Sequence, residues 1–202
     1  PTRLQLLVPG ETAVQGSIIG KSGTPSALTA GTNYEVTVNL TDSWWNKVTS
    51  GQMPSVLVNT SDPFDTEPYE NSLTNGTTVY IVNFRRAWWG SYGGAAAATA
   101  TITAQDMSPG IYITNTSPLI TINPGTATKL QILAPGEYAV PGSVTGKTGS
   151  PDSRQAGIGF PVTVNLVDSN WNRVPIAVQP QVKIYTTDPN DLGFGDNEEE
   201  IP

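Results

Sequence analysis

Cysteine and histidine are both absent from the 202 residues. Their absence removes disulfide staples, thiolate nucleophiles, Cys/His zinc sites and imidazole general bases, and with them most common hydrolase and metalloenzyme designs. Stability has to come from packing. Charge is scarce too: Asp, Glu, Lys and Arg together make up 13% of the chain, with a net charge of −7. Ten Lys and Arg dispersed along an acidic chain leave no electrostatic footprint for nucleic acid or an anionic lipid surface. No run of about 18 apolar residues occurs, so no membrane insertion is expected within this segment, and any targeting or anchoring sequence is expected outside it. Helical periodicity is almost missing.

What the chain does have is an internal copy of itself. Thr2 to Asp65 align without a gap on Thr128 to Asp191, with about half the positions identical. Leu4 to Pro25 (LQLLVPGETAVQGSIIGKSGTP) returns as Leu130 to Pro151 (LQILAPGEYAVPGSVTGKTGSP), and Val36 to Val48 (VTVNLTDSWWNKV) as Val162 to Val174 (VTVNLVDSNWNRV). A period of this length matches a domain rather than a solenoid repeat, so beads on a string are expected. The boundaries fall at 1–124 for the first module and 125–202 for the second, with the short link Asn123 to Thr128 allowing little swing. The second copy stops before its strand set is complete. An excerpt of a longer polypeptide is expected on that ground, or else a partner subunit that supplies the missing strands. Low Lys with abundant Thr and Asn suits an exported bacterial protein, extracellular or at the cell surface. Asn39, Asn59, Asn75 and Asn115 each open an Asn-x-Ser/Thr triplet, which a Thr-rich sequence also produces by chance.

Alternation with period two dominates each copy. Val36, Val38 and Leu40 fall on one face and Thr37, Asn39 and Thr41 on the other, the pattern of a half-buried strand. Further strands are expected at Arg3 to Val8, Ser55 to Asn59, Thr77 to Arg85, Ala97 to Gln105 and Leu119 to Asn123. In Ala97 to Gln105 the residues Ala98, Ala100, Ile102 and Ala104 are expected to face inward. Short strands separated by Gly, Pro, Asn and Asp clusters describe an antiparallel sandwich. Pro9 to Gly31 is too long for a structureless loop in a compact domain. An ordered excursion packed on the sandwich is expected there, with a short strand at Ser17 to Ile19.

A strand ending Val-Thr-Val-Asn-Leu-x-Asp, a turn Ser-x-Trp-Asn-(Lys/Arg)-Val and then Thr-x-Asp-Pro (Thr60 to Pro63; Thr186 to Pro189) together resemble bacterial immunoglobulin-like repeats. Such repeats occur in tandem in large secreted and surface proteins; in design they are invasin- and intimin-like, and more loosely filamin-like. The resemblance implies an all-β fold of tandem immunoglobulin-like antiparallel β-sandwich modules, the second incomplete. Its motifs are structural and carry no chemistry. Repeats of that kind usually place Gly where this chain has Trp45 and Trp171, so the resemblance leaves the turn type at this site open. Between Arg85 and Ala97 the sequence RRAWWGSYGGAAA replaces a shorter hairpin connection.

Three groups of residues are candidates for function. Asp62 with Asp65 recurs as Asp188 with Asp191, and carboxylates at two copies of one loop offer hard oxygen ligands for calcium; Asp-Pro is equally ordinary turn chemistry. Trp88, Trp89 and Tyr92 in a Gly-flanked loop, with an exposed Trp44, offer an interaction surface for another module, another protein or a glycan; packing of the loop on its own module is the plainer alternative. Trp45 and Trp171 are expected to cap the end of the sandwich core or to pack on the neighbouring long loop, with ligand stacking as the alternative, and Asp42 and Asp168 to cap their own turns. Lys21 with Asn39, and Lys147 with Asn165, suggest side-chain amide crosslinks assisted by Asp42. Paired acids invite a glycosidase reading, but two carboxylates roughly 5 to 9 Å apart need a cleft between them, and the acids here lie in turns. The expected function is therefore non-enzymatic: an extracellular structural or adhesive repeat serving as stalk, spacer or filament. Its partners would be other copies or neighbouring modules, or a cell-surface protein or glycan. The alternative is a carbohydrate-binding accessory module of a secreted enzyme.

Overall fold

The computed structural model describes residues 1–66, 69–87, 98–176, 180–187 and 199–200. The first copy contains β1 (Arg3–Leu7), β2 (Glu11–Ala13), β3 (Lys21–Gly23), β4 (Leu28–Thr29), β5 (Asn33–Thr41), β6 (Ser55–Thr60), β7 (Tyr69–Ser72), β8 (Thr77–Asn83), β9 (Ala98–Ala100), β10 (Ile102–Ser108), β11 (Asn115–Thr116) and β12 (Ile120–Asn123). No helix occurs among the described residues. One sheet runs β1-β5-β8 and a second β11-β10-β6-β7, both antiparallel. A third joins β12 to β9 antiparallel and to β4 parallel.

The alternating aliphatic side chains meet in a single core. Leu4 and Leu6, Val36, Val38 and Leu40, and Tyr80 and Val82 share it with Val56 and Val58, Ile102 and Ala104, and Ile120 and Ile122. Phe84, just beyond β8, heads the fully buried side chains by volume. Each fully buried Val, Leu or Ile contributes about 1.5–3 kcal/mol, so a filled sandwich stands in for the missing disulfides.

Two expected strands are corrected. Ala97 to Gln105 was expected as one strand, but the described part is two, β9 and β10, with Thr101 between them. The reason is a change of partner: β9 pairs with β12, whereas β10 pairs with β6. Ala100, Ile102 and Ala104 face inward as their spacing requires. Ser17 to Ile19 is not a strand but the bend that joins β2 to β3, which pair with each other through Thr12 and Ser22. This hairpin is the ordered part of the long excursion, and Gln5 shows where it lies. Gln5 points away from the core yet is 2% exposed, donating to Gly20 O at 2.7 Å and accepting from Asn39 Nδ2 at 3.0 Å. Thr77 Oγ1 completes the relay on Asn39 Oδ1 at 2.7 Å.

The second copy repeats this geometry in β13 (Lys129–Leu133), β14 (Glu137–Ala139), β15 (Lys147–Gly149) and β16 (Thr163–Val167). Lys129 pairs with Val167 as Arg3 pairs with Thr41, and Glu137 with Gly149 as Glu11 with Gly23. Gln131 donates to Gly146 O at 2.8 Å, the counterpart of Gln5 on Gly20. Among the described residues this sheet is the pair β13-β16 alone. Leu130 and Ile132 are each 48% exposed, while their counterparts Leu4 and Leu6 are wholly buried.

Tyr80 bridges the two main sheets, with its hydroxyl 3.1 Å from Val56 O and 2.9 Å from Asn71 O. Burial first, then the Glu70 carboxylate, pushes its pKa from 10.0 up to about 12. The folded chain therefore keeps a proton that the unfolded chain has lost, and stability that is whole below pH 10.0 drains away as pH rises toward about 12. Tyr80→Phe is expected to flatten that alkaline decline while costing about 0.5–1.5 kcal/mol at neutral pH. Urea unfolding of both proteins across the pH range measures each effect.

Candidate functional site

The repeated turn after β5 is built on one carboxylate. Asp42 Oδ1 accepts from Trp44 N at 2.8 Å and Asn46 N at 2.9 Å, and Oδ2 accepts from Asn46 Nδ2 at 2.9 Å. These bonds, the Asn46 side chain's first, hold the Asp42 pKa below its ordinary value. Asp168 repeats them on Asn170 N, Asn172 N and Asn172 Nδ2 at 2.8, 2.9 and 2.9 Å. Both aspartates thus cap their own turns as expected.

Inside each turn a tryptophan takes the backbone conformation that glycine favours. Trp45 and Trp171 both have φ of 65°, so Trp stands in the left-handed position itself. Such a conformation costs an L-residue about 1–2 kcal/mol. The ring offsets that by closing over the hairpin, where Trp45 Nε1 donates to Ile18 O at 3.2 Å and Trp171 Nε1 to Val144 O at 3.1 Å. A Cβ at Gly20 would lie 2.2 Å from the Trp45 ring, and one at Gly146 2.3 Å from that of Trp171. The Arg3 guanidinium sits 4.7 Å from the Trp45 ring centroid and the Lys129 ammonium 3.5 Å from that of Trp171.

In the second copy this turn also docks on the first module. Asn172 Oδ1 accepts from Ala87 N at 2.8 Å, and its Nδ2 donates to Arg85 O at 2.9 Å. Asp168 Oδ2 accepts from Gly125 N at 2.8 Å, tying the inter-module link to the turn. The strap Arg85–Ala87 is held from behind by Asp62, whose Oδ2 accepts from Arg85 N and Arg86 N, both at 2.7 Å. A Cβ at Gly142 would meet the Arg86 Cβ and Phe64 Cδ2 at 2.9 Å, so only glycine permits this closeness. Asp168 and Asn172 are buried at 1% and 0% exposure, and the Asn172 amide is fully hydrogen-bonded.

The structure sorts the remaining candidates. Asp62 is buried, with its other oxygen accepting from Phe64 N at 2.9 Å, and Asp65 Oδ2 accepts from the Thr60 hydroxyl. Asp188 and Asp191 lie outside the described residues, as do Trp88, Trp89 and Tyr92. Among the described residues no three of Asp, Glu, His or Cys stand together in a metal-holding group. Trp44 is 63% exposed at the edge of its turn. The crosslink idea is overturned: Lys21 pairs with Glu11 and Lys147 with Glu137, each at 2.7 Å, while Asn39 and Asn165 bond to Gln5 and Gln131. Asn39 is buried in that relay and Asn115 Oδ1 accepts from Leu6 N, so two of the four glycosylation triplets serve the fold. The role of Asn172 was missed, although Asn follows Asp by four in both copies. Its partners across the junction are main-chain groups, which leave no mark in a sequence.

No protein-family model matches the chain, and no curated protein or solved structure matches it.

Removing the Asn172 amide should free the junction without unfolding either sheet. Asn172→Ala is expected to raise the mobility of the second copy relative to the first, seen as divergent 15N relaxation rates. It should weaken the docked state by about 1–3 kcal/mol, the cost of stranding Ala87 N–H and Arg85 C=O. Trp171→Gly relieves the backbone cost but loses the ring; a net loss of about 1–3 kcal/mol is expected in thermal unfolding, because a Trp side chain buries more than one turn's strain recovers.

Proposed function

We propose that this chain is a non-enzymatic structural repeat, immunoglobulin-like in design, that serves outside the cell as a spacer or stalk segment. The observation that carries this reading is the docked turn of the second copy. Asn172, Asp168, Arg85, Ala87 and Gly125 fix one module against the next by directional bonds. A binding module hung on an enzyme needs no such junction, whereas a rod needs one at every joint. The link between copies supports the same reading, since Ala30 N donates to Asn123 O at 2.8 Å and Gly125 N to Asp168 before the next strand begins. Net charge −7 without a basic patch fits partners that are proteins or glycans rather than nucleic acid.

The carbohydrate-binding reading keeps one observation in its favour, the exposed Trp44. Titration of soluble cellulose, chitin, starch and cell-wall glycans, followed by Trp emission, is expected to give no shift; a saturable shift would replace the spacer reading. Small-angle scattering should fit a single arrangement of the two copies, and Asn172→Ala should broaden it to an ensemble. Excess chelator is expected to leave the melting temperature unchanged, since main-chain N–H groups already occupy both oxygens of Asp62; a fall on chelation would restore calcium as a ligand.

A further inference from the structure

The junction has two halves. On the first copy lie the strap Arg85–Ala87, Phe64 and Gly31, followed by Gly125 in the link; on the second lie Asp168, Asn170, Asn172 and Gly142. The first copy also carries the second half, as Asp42, Trp44, Asn46 and Gly16. Its internal geometry is already that of the docked turn. Gly16 N donates to Trp44 O at 2.8 Å as Gly142 N does to Asn170 O at 2.8 Å, and Asn46 donates to Asp42 as Asn172 does to Asp168. What differs is the outer side. A Cβ at Gly142 would strike the first module, but one at Gly16 would meet nothing within 4 Å. Asn172 is fully buried while Asn46 is part-exposed.

We propose that the face formed by Asp42, Trp44, Asn46 and Gly16 is a docking surface for the Arg85–Ala87 strap of another copy of this module. The proposal rests on the repeat reading above and names its partner. Asn46 Nδ2 would donate to Arg85 O, Ala87 N to Asn46 Oδ1, and Gly125 N to Asp42 Oδ2, as across the existing junction. Shape agrees. The one residue of this face that changes strongly is Trp44 for Asn170, and beside Asn170 lies a groove of about 380 Å³ lined by Gly31, Asn33, Ile81, Asn83 and Arg85. An indole at this position enters that groove, which accounts for a large aromatic left 63% exposed when no partner is docked.

The test places residues 1–126 directly ahead of the full 202-residue chain, which keeps the spacing of the existing junction. The added copy carries Trp44→Phe, so that a single Trp44 reports. Hydroxyl-radical oxidation of that Trp44, read by mass spectrometry, is expected to slow several-fold relative to the 202-residue chain. Asn46→Ala in the same copy should restore the rate. An unchanged rate in the fusion overturns the proposal. In the 202-residue chain itself, Asn170→Trp puts the indole at the junction already formed; it should be protected there, and an indole as reactive as Trp44 would equally overturn the proposal. A reactive Trp44 beside an intact Asn172 junction removes the docking surface alone, whereas the spacer reading fails on a glycan response or on a junction of the 202-residue chain that scatters as an ensemble.

Discussion

The carboxylate of the turn after β5 is the constraint on which the rest depends. Asp168 gathers the main-chain N–H of Asn170, Asn172 and Gly125 and the Asn172 amide on two oxygens. Those bonds fix the turn tightly enough for Trp171 to hold φ of 65° and lay its ring on the hairpin. They also present the Asn172 amide with both ends outward, toward an acceptor and a donor on the neighbouring module. One ionised group thus sets the backbone, the hairpin packing and the joint. Charge-assisted bonds are roughly twice as strong as neutral ones, which is why so short a turn can carry all three.

Asp62 plays the matching part from the other side. It lies between β6 and the strap, and its acceptance of two successive N–H groups bends Arg85 and Arg86 away from β8 toward the second copy. In the first copy, too, polar burial organises what the hydrophobic core cannot. Gln5 and Asn39 lie on the outer face of their sheet, and the hairpin covers them because they offer it hydrogen bonds. A buried amide pair left open would cost more than the hairpin's ordering, so position and partner are specified together.

Much of the sandwich was legible in advance. Val36, Val38 and Leu40 announced β5 by alternation, and the same spacing placed Ala100, Ile102 and Ala104 inward. Legibility failed where local pattern is not the cause. Thr101 continues the alternation across a change of partner strand, and pairing is a long-range matter. Order in the long excursion is expected to come from a strand at Ser17 to Ile19, yet Gly16 at φ of 71° and Gly20 at φ of 81° make them the bend of a hairpin. The two short strands Leu28–Thr29 and Asn115–Thr116 exist only through their neighbours. Of the candidate site, the repeated Asp and Trp were visible as a pattern, but the joint they make was not. Its other half consists of the carbonyl of Arg85 and the amides of Ala87 and Gly125, groups that every residue type but proline supplies.

Since the joint grips main-chain atoms, it depends on the path of the strap rather than on the Arg85 side chain, and that path is held by Asp62 and by the burial of Ala87 in the core. The side chains that the joint itself requires are then Asp168, Asn172 and the bare backbone of Gly142, and any unit offering those three to the same strap would close against it in the same way.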